Sequence, residues 1–466
     1  MRVLVSVLIL VLSLGLLMTV AYRGYSVVVG APLCALLAVL LTLGPAAVLP
    51  IYSGLFMTAM VDFIAKYLPV FLLGALFGKL MELTGAAASI SGSIVSAVGE
   101  RHSMLAIIGA CAVLTYGGVS LFVVAFAVYP FARSLFRRSR IQERLIPGTI
   151  ALGSFTFTMD ALPGTPQIQN VIPTTFFGTD VYAAPTLGVC GAVFVLVCGL
   201  GYLYKRHRDL GPMEWPSVQG EDAAGEQVGL PSPWLAFLPL LTVAVVNFQF
   251  TRFLKASAHK DLPLSQFGIE SDAVVHLDKM AGIYAIEVAL VCGLVVAAGV
   301  GWRRLQGQLR AGMDKAVGGA MLAALNTGSE YGFGAVVAAL PGFAKVKAFL
   351  ATAISHPLLN EAVSVNLLAG ITGSASGGMS IALAAMADNF KAAAQAANIP
   401  PEVLHRVASM ASGGMDTLPH NGAVITLLMI TGMTHRDSYR DIFAITLIKT
   451  AAVFVIIAIY SLTGLV

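Results

Sequence analysis

Two carboxylates interrupt a sequence that is otherwise written for lipid. Asp160 stands in Met159-Asp160-Ala161-Leu162-Pro163-Gly164-Thr165-Pro166-Gln167-Ile168-Gln169-Asn170, and Asp416 in Met415-Asp416-Thr417-Leu418-Pro419-His420-Asn421-Gly422. Met, Asp, Leu and Pro recur at one spacing, 416 − 160 = 256 residues apart. In each copy the proline removes a backbone donor and clashes with the preceding turn, so a helix cannot pass through unbroken. Backbone freed inside a membrane must line a cavity or be buried in protein. A carboxylate at that depth is costly to ionise and marks a proton relay, an ion site or a substrate path, which makes Asp160 and Asp416 the candidate proton-coupling residues. The other role open to each is to cap the half-helix beyond its break.

Two glycine-rich phrases offer a second chemistry. Thr115-Tyr116-Gly117-Gly118-Val119-Ser120 splits the apolar run from Met104 to Phe131, and Thr372-Gly373-Ser374-Ala375-Ser376-Gly377-Gly378-Met379-Ser380 splits the run from Leu358 to Met386. Each leaves two arms too short to cross a bilayer, and each reads as a re-entrant helical hairpin with its glycine pair at the tip. Broken helices and hairpin tips expose half-helix N-termini, whose N–H groups and dipoles attract anions. Four such elements converging near the midplane make an anion site that needs no arginine. Its candidate substrate-binding residues are Thr115, Gly117, Gly118 and Ser120 at the first tip, and Thr165, Gln167 and Asn170 at the first break. The second tip adds Thr372, Ser374, Ser376, Gly377, Gly378 and Ser380, and the second break His420 and Asn421. Hydroxyls, amides and one imidazole suit a small carboxylate carrying hydroxyl or keto groups. The Ser and Thr side chains can equally hydrogen-bond between helices.

Composition states the setting. Hydrophobic residues make up 57% of the 466 and charged residues 11%, against roughly 25% charged in soluble domains. This is the composition of an all-α polytopic membrane protein. A formal charge of +4, with no basic stripe, excludes nucleic acid as a partner. The five cysteines lie scattered in apolar runs, without zinc-site or disulfide spacing. No nucleophile elbow, Walker loop or HExxH pattern is present, so neither an enzyme nor an ATP-driven pump is expected, and no metal or cofactor.

The elements that position these residues follow from cutting the chain at about 20 apolar residues per crossing. Spans are expected near 3–22, 26–48 and 54–80, then an amphipathic piece near 84–99, the first hairpin, a broken segment at 146–175 and a span at 185–204. Residues 205–231 form a charged linker. Spans near 232–249, 279–301 and 316–341, an amphipathic piece at 343–357, the second hairpin, the second break and a last span at 441–464 repeat the plan. Two landmarks in one order in each half imply two repeats, 1–204 and 232–466. Each has three scaffold spans, a hairpin, and a broken segment with one further span. An odd number of crossings per repeat makes the second repeat inverted. The scaffold is then about 1–80 with 232–341, and the transport domain about 84–204 with 343–466. Placing Arg133, Arg137, Arg138, Arg140 and Arg144 in the cytoplasm also puts Arg303, Arg304, Arg310, Lys315, Arg436 and Arg440 there, as cytoplasmic loops prefer. The loop Gly44 to Ser53 and both termini fall outside. Asp62 and Lys66, four apart, read as an intramembrane ion pair. Glu82, Glu287, Glu330, Glu361 and Asp388 lie near element ends and read as interfacial, Glu330 being the one that most merits a test.

Four phrases together resemble the gluconate permease (GntP) family of the ion transporter superfamily. They are Gly78-Lys79-Leu80-Met81-Glu82-Leu83-Thr84-Gly85-Ala86-Ala87, Gly117-Gly118, Ala161-Leu162-Pro163-Gly164-Thr165-Pro166 and Gly373-Ser374-Ala375-Ser376. The resemblance implies secondary active, proton-coupled uptake of a small organic acid across a bacterial inner membrane, by a homodimer whose transport domain moves as an elevator. Sugar-acid members tend to carry a Pro-Pro-His-Pro-Gly-Pro type of phrase at the first break. The absent histidine and added Asp160 make 3-hydroxybutyrate, or another short hydroxy or keto acid, at least as good a substrate as gluconate. A sodium-coupled carboxylate symporter and a passive anion channel are the alternatives.

Overall fold

The structure is a computed structural model that describes residues 2–23, 25–99, 102–119, 121–215, 230–256, 261–268, 270, 274–345, 348, 354–372, 374–414, 417–419 and 421–466. The apolar runs fold as helices because only an internally hydrogen-bonded backbone is stable in hydrocarbon. Helices α1 (Arg2–Tyr22) and α2 (Val27–Leu43) open the chain. Gly44, at φ 90°, then turns it. Pro45 starts the next helix at once, α3 (Pro45–Leu83), with a π-helical turn at Tyr52–Met57. The loop expected from Gly44 to Ser53 is therefore helical, since a proline at the first helical position is already set for it.

The first half continues with α4 (Ala86–Val98), the hairpin α5 (Ser103–Tyr116) and α6 (Leu121–Arg138), and the broken segment α7 (Ile146–Ser154), α8 (Phe157–Asp160) and α9 (Ile168–Phe177). Helix α10 (Pro185–Leu210) runs past the expected start of the linker. In the second half come α11 (Pro233–Ala256), α12 (Leu277–Leu305) and α13 (Leu309–Ala339). They are followed by the hairpin α14 (Pro357–Thr372) and α15 (Ala375–Ala396), the broken pair α16 (Pro401–Ser412) and α17 (Gly422–Thr431), and α18 (His435–Thr463). A short antiparallel ribbon, β1 (Asp261–Pro263) with β2 (Val274–His276), lies in the α11–α12 connection. It is the one departure from all-helical structure among the described residues. Much of the amphipathic piece at 343–357 lies outside the described residues.

The helices pack in corresponding pairs in the two halves, and α13 also lies along α15. Spans α3 and α13 lie against each other, as do α11 and α12. Around them, α5 packs on α7 as α14 packs on α16, α6 on α7 as α15 on α16, and α6 on α17 as α15 on α9. At one end of the molecule Arg206 Nε lies 3.0 Å from Asp441 Oδ1, the Ser438 hydroxyl donates to the Arg144 carbonyl at 2.6 Å, and the Met213 amide donates to the Arg140 carbonyl at 2.9 Å. These contacts gather several of the cationic segments at a single face. Asp62 and Lys66 are exposed on α3 and form no ion pair among the described residues, so that expectation fails: four-residue spacing shares a face without bringing the charged ends together.

Candidate functional site

The first break is held open by side chains reaching in from α16. Helix α7 ends at Ser154, Thr156 leaves helical geometry, and Gly164 at φ 84° turns the chain between Pro163 and Pro166. At membrane depth the freed carbonyls need donors. Arg406, fully buried, supplies them: Nε and Nη2 donate to Ala183 O at 3.2 and 2.7 Å, and Nη1 donates to Asp160 O at 3.0 Å and to Asn170 Oδ1 at 3.1 Å. Ser409 adds a bond to Asp160 O at 2.8 Å. The Asn170 amide nitrogen donates to Thr165 O at 3.0 Å and Val181 O at 2.8 Å. Its Oδ1 can only accept, so His405 Nε2, 3.1 Å away, carries the ring proton and Nδ1 accepts from the Thr179 hydroxyl at 2.7 Å. A planar guanidinium suits this place because it pairs several unwound carbonyls at once.

Asp160 closes α8 and is 4% exposed. Its Oδ2 lies 3.9 Å from Nζ of Lys449, itself 3% exposed and donating to Phe155 O at 2.7 Å. A Cβ on Gly413 would collide with the Asp160 carboxylate, and one on Gly414 with Asn366 Oδ1. The first break thus meets the start of the second. Asp160 does not occupy the capping position of α9, which belongs to Gln167. Asp416, His420 and Ser120, with the side chain of Thr372, lie outside the described residues. Asn421 is engaged as the N-cap of α17, its Oδ1 accepting from Ala423 N at 2.7 Å.

Each hairpin tip rests on one of the long spans of the second half. Gly118, at φ 92°, lies against Pro166, and Gly117 against Leu240 of α11. Gln167 Nε2 donates to Thr115 O at 2.8 Å and Val119 O at 3.4 Å, tying this tip to the break. Thr115, Gly117, Gly118, Thr165, Gln167 and Asn170 therefore form one cluster. Beside it is a cavity of about 360 Å³ lined by Tyr116, Gly164, Pro166, Tyr182 and Asn247. The second tip meets α13. Thr327 Oγ1 is 3.5 Å from Ser376 Oγ, and Ser374 hydrogen-bonds Glu330. Gly378 packs on the α14 backbone, and Ser380 donates to Ser376 O at 2.6 Å. Glu330 and Glu361 are buried, not interfacial, and both Glu361 oxygens lack a partner among the described residues.

Sequence reasoning missed Arg406, His405, Lys449 and Asn366. A signal existed for Lys449, a lone cation inside the last apolar span. The run from Pro401 to Ser412, with Glu402, His405, Arg406, Ser409 and Ser412, resembles a solvent-facing helix, yet it is buried from Val403 onward.

No family model matches the chain. It is 56% identical over 472 residues to the uncharacterized transporter YxjC of Bacillus subtilis, an alignment covering 99% of this chain and 100% of that protein. The chain belongs to the YxjC transporter family. An uncharacterized permease of Haemophilus influenzae is 27% identical over 237 residues, 47% of this chain and 45% of its own length. Among solved structures, the YdaH transporter of Alcanivorax borkumensis, noted for an unusual topology, superposes with a TM-score of 0.55 at 16% identity over 88% of both chains. MtrF of Neisseria gonorrhoeae, from a class of antimetabolite efflux pumps, gives 0.52 at 13% identity over 86% of this chain and 84% of its own. These likenesses carry the fold. This member of the YxjC family is a transporter and a multi-pass protein of the bacterial inner membrane. The likeness to gluconate permeases rests on the motifs alone.

Proposed function

We propose that this transporter moves a small hydroxy or keto monocarboxylate, such as 3-hydroxybutyrate or gluconate, into the cell together with a proton. The observation that carries the reading is Asp160: a carboxylate 4% exposed, set 3.9 Å from Lys449 where the two interrupted helices meet. Such a group is costly to ionise alone at membrane depth, and the Lys449 ammonium offsets that cost. The carboxylate can therefore hold a transported proton in one state of the cycle and release it to water, to pair with Lys449, in another. The matching neighbour relations of the two hairpins and two broken segments favour a pair of inverted repeats. In the elevator that accompanies this reading, α4–α10 and α14–α18 travel within a homodimer whose scaffold is α1–α3 and α11–α13. The tips, resting on α11 and α13, are the sliding contacts.

The test is reconstitution into liposomes. The wild type accumulates labelled 3-hydroxybutyrate or gluconate when the outside is acidified, and continues to do so when external sodium is replaced by choline. Asp160→Asn retains exchange of internal for external acid but loses accumulation driven by the pH gradient. Equal gradient-driven accumulation in Asp160→Asn removes this residue from coupling, and a strict sodium requirement removes the proton.

A further inference from the structure

Glu330 is a carboxylate from the scaffold lying on the tip of the second hairpin. It is 3% exposed, deep in α13, and a Cβ on Gly377 would fall on its carboxylate. Gly377 stands in the first turn of α15, a helix of 22 residues. The Ser374 side chain bonds the Glu330 carboxylate, and its oxygen accepts the Gly377 amide proton at 3.1 Å, so Ser374 links the glutamate to the helix start. Glu330 Oε2 has no hydrogen-bond partner among the described residues, and no described cation forms an ion pair with it. A buried carboxylate in such a place demands a reason, since a buried acceptor left unpaired forfeits the hydrogen bonds water would give it.

We infer that Glu330 is a built-in stand-in for the substrate carboxylate: the second tip holds Glu330 in this conformation and a small monocarboxylate anion once Glu330 withdraws. A serine hydroxyl at a helix N-terminus is a carboxylate receptor by its own chemistry. Glycine at 377 is what lets a carboxylate lie flush against the turn. The empty tip stays fastened to α13 through Glu330, with Thr327 and Ser376 alongside, and substrate frees the tip from the scaffold by taking Glu330's place. This rests on the proposed function in treating the tip as part of the substrate site.

The experiment uses the purified full-length protein, with 3-hydroxybutyrate and gluconate as probes in calorimetric titration. Glu330→Gln keeps the shape and removes the competing carboxyl group. If Glu330 holds about nine-tenths of the tips, the apparent Kd falls about tenfold in this variant, because apparent affinity scales with the fraction of open sites. Unchanged or weaker binding overturns the inference. A variant pair that leaves Glu330 in place guards against misfolding. With the native cysteines replaced, a Thr327→Cys/Ser376→Cys cross-link abolishes binding and reduction restores it, whereas binding that survives the cross-link overturns the inference. If the wild type binds neither acid, the proposed substrate class falls instead. Glu330 is then judged without ligand by maleimide labelling of Ser376→Cys, which quickens in Glu330→Gln if the latch exists and stays the same if it does not.

Discussion

Arg406→Met is the sharpest test of how the first break is built. The substitution keeps an apolar side chain of similar length in a fully buried position and deletes four hydrogen bonds. The carbonyl of Ala183 loses both of its arginine donors. Asp160 O keeps Ser409, and Asn170 Oδ1 keeps His405. An orphaned buried carbonyl costs about 1–3 kcal/mol, and each weakened bond to a charged donor roughly another 1 kcal/mol. Against this, the variant no longer desolvates a guanidinium, a gain that can rival the loss when both members of a pair are replaced. Here the acceptors remain, so the net loss is about 2–4 kcal/mol. In a purified sample of a chain this long that corresponds to a fall of about 2–4 °C in apparent melting temperature. Arg406→Lys, with its charge at a single point, reaches fewer of the three acceptors and falls between. Arg436→Met, at the exposed start of α18, serves as the control and leaves the melt unchanged. A melt of Arg406→Met that coincides with the wild type refutes the claim that this guanidinium holds the break together. A melt of Arg406→Lys equal to the wild type shows that charge alone, without the planar fork, is enough.

Two further tests follow from the same geometry. Lys449→Met leaves the buried Asp160 without a cation 3.9 Å away and destabilises by about 3–5 kcal/mol; adding Asp160→Asn recovers much of that loss, and strict additivity in the double-mutant cycle denies the pair. Gln167→Leu removes the bonds to Thr115 O and Val119 O, so amide exchange quickens at residues 115–119 and not at 374–378, a local loss of about 1 kcal/mol; equal protection at the first tip refutes its tethering by Gln167.

The sequence alone determined that this chain lives in a membrane, where its backbone must break, and which polar residues stand at the breaks. Those properties are local: a run of apolar residues has one stable secondary structure in lipid, and a proline or a glycine pair ends it wherever it occurs. Asp160, the two glycine tips and the recurrence of Asp-x-x-Pro were legible for that reason. Only the tertiary structure decided who satisfies the broken backbone. Arg406 and His405 sit on a helix whose residue types read as surface, and its burial is set by α9, α14 and α15 closing over it. Glu330, offered as an interfacial charge, lies on the second tip. The physical reason is common to both. Whether a polar side chain meets water, a ligand or a stranded carbonyl depends on which element packs across from it, and that partner lies as much as hundreds of residues away along the chain.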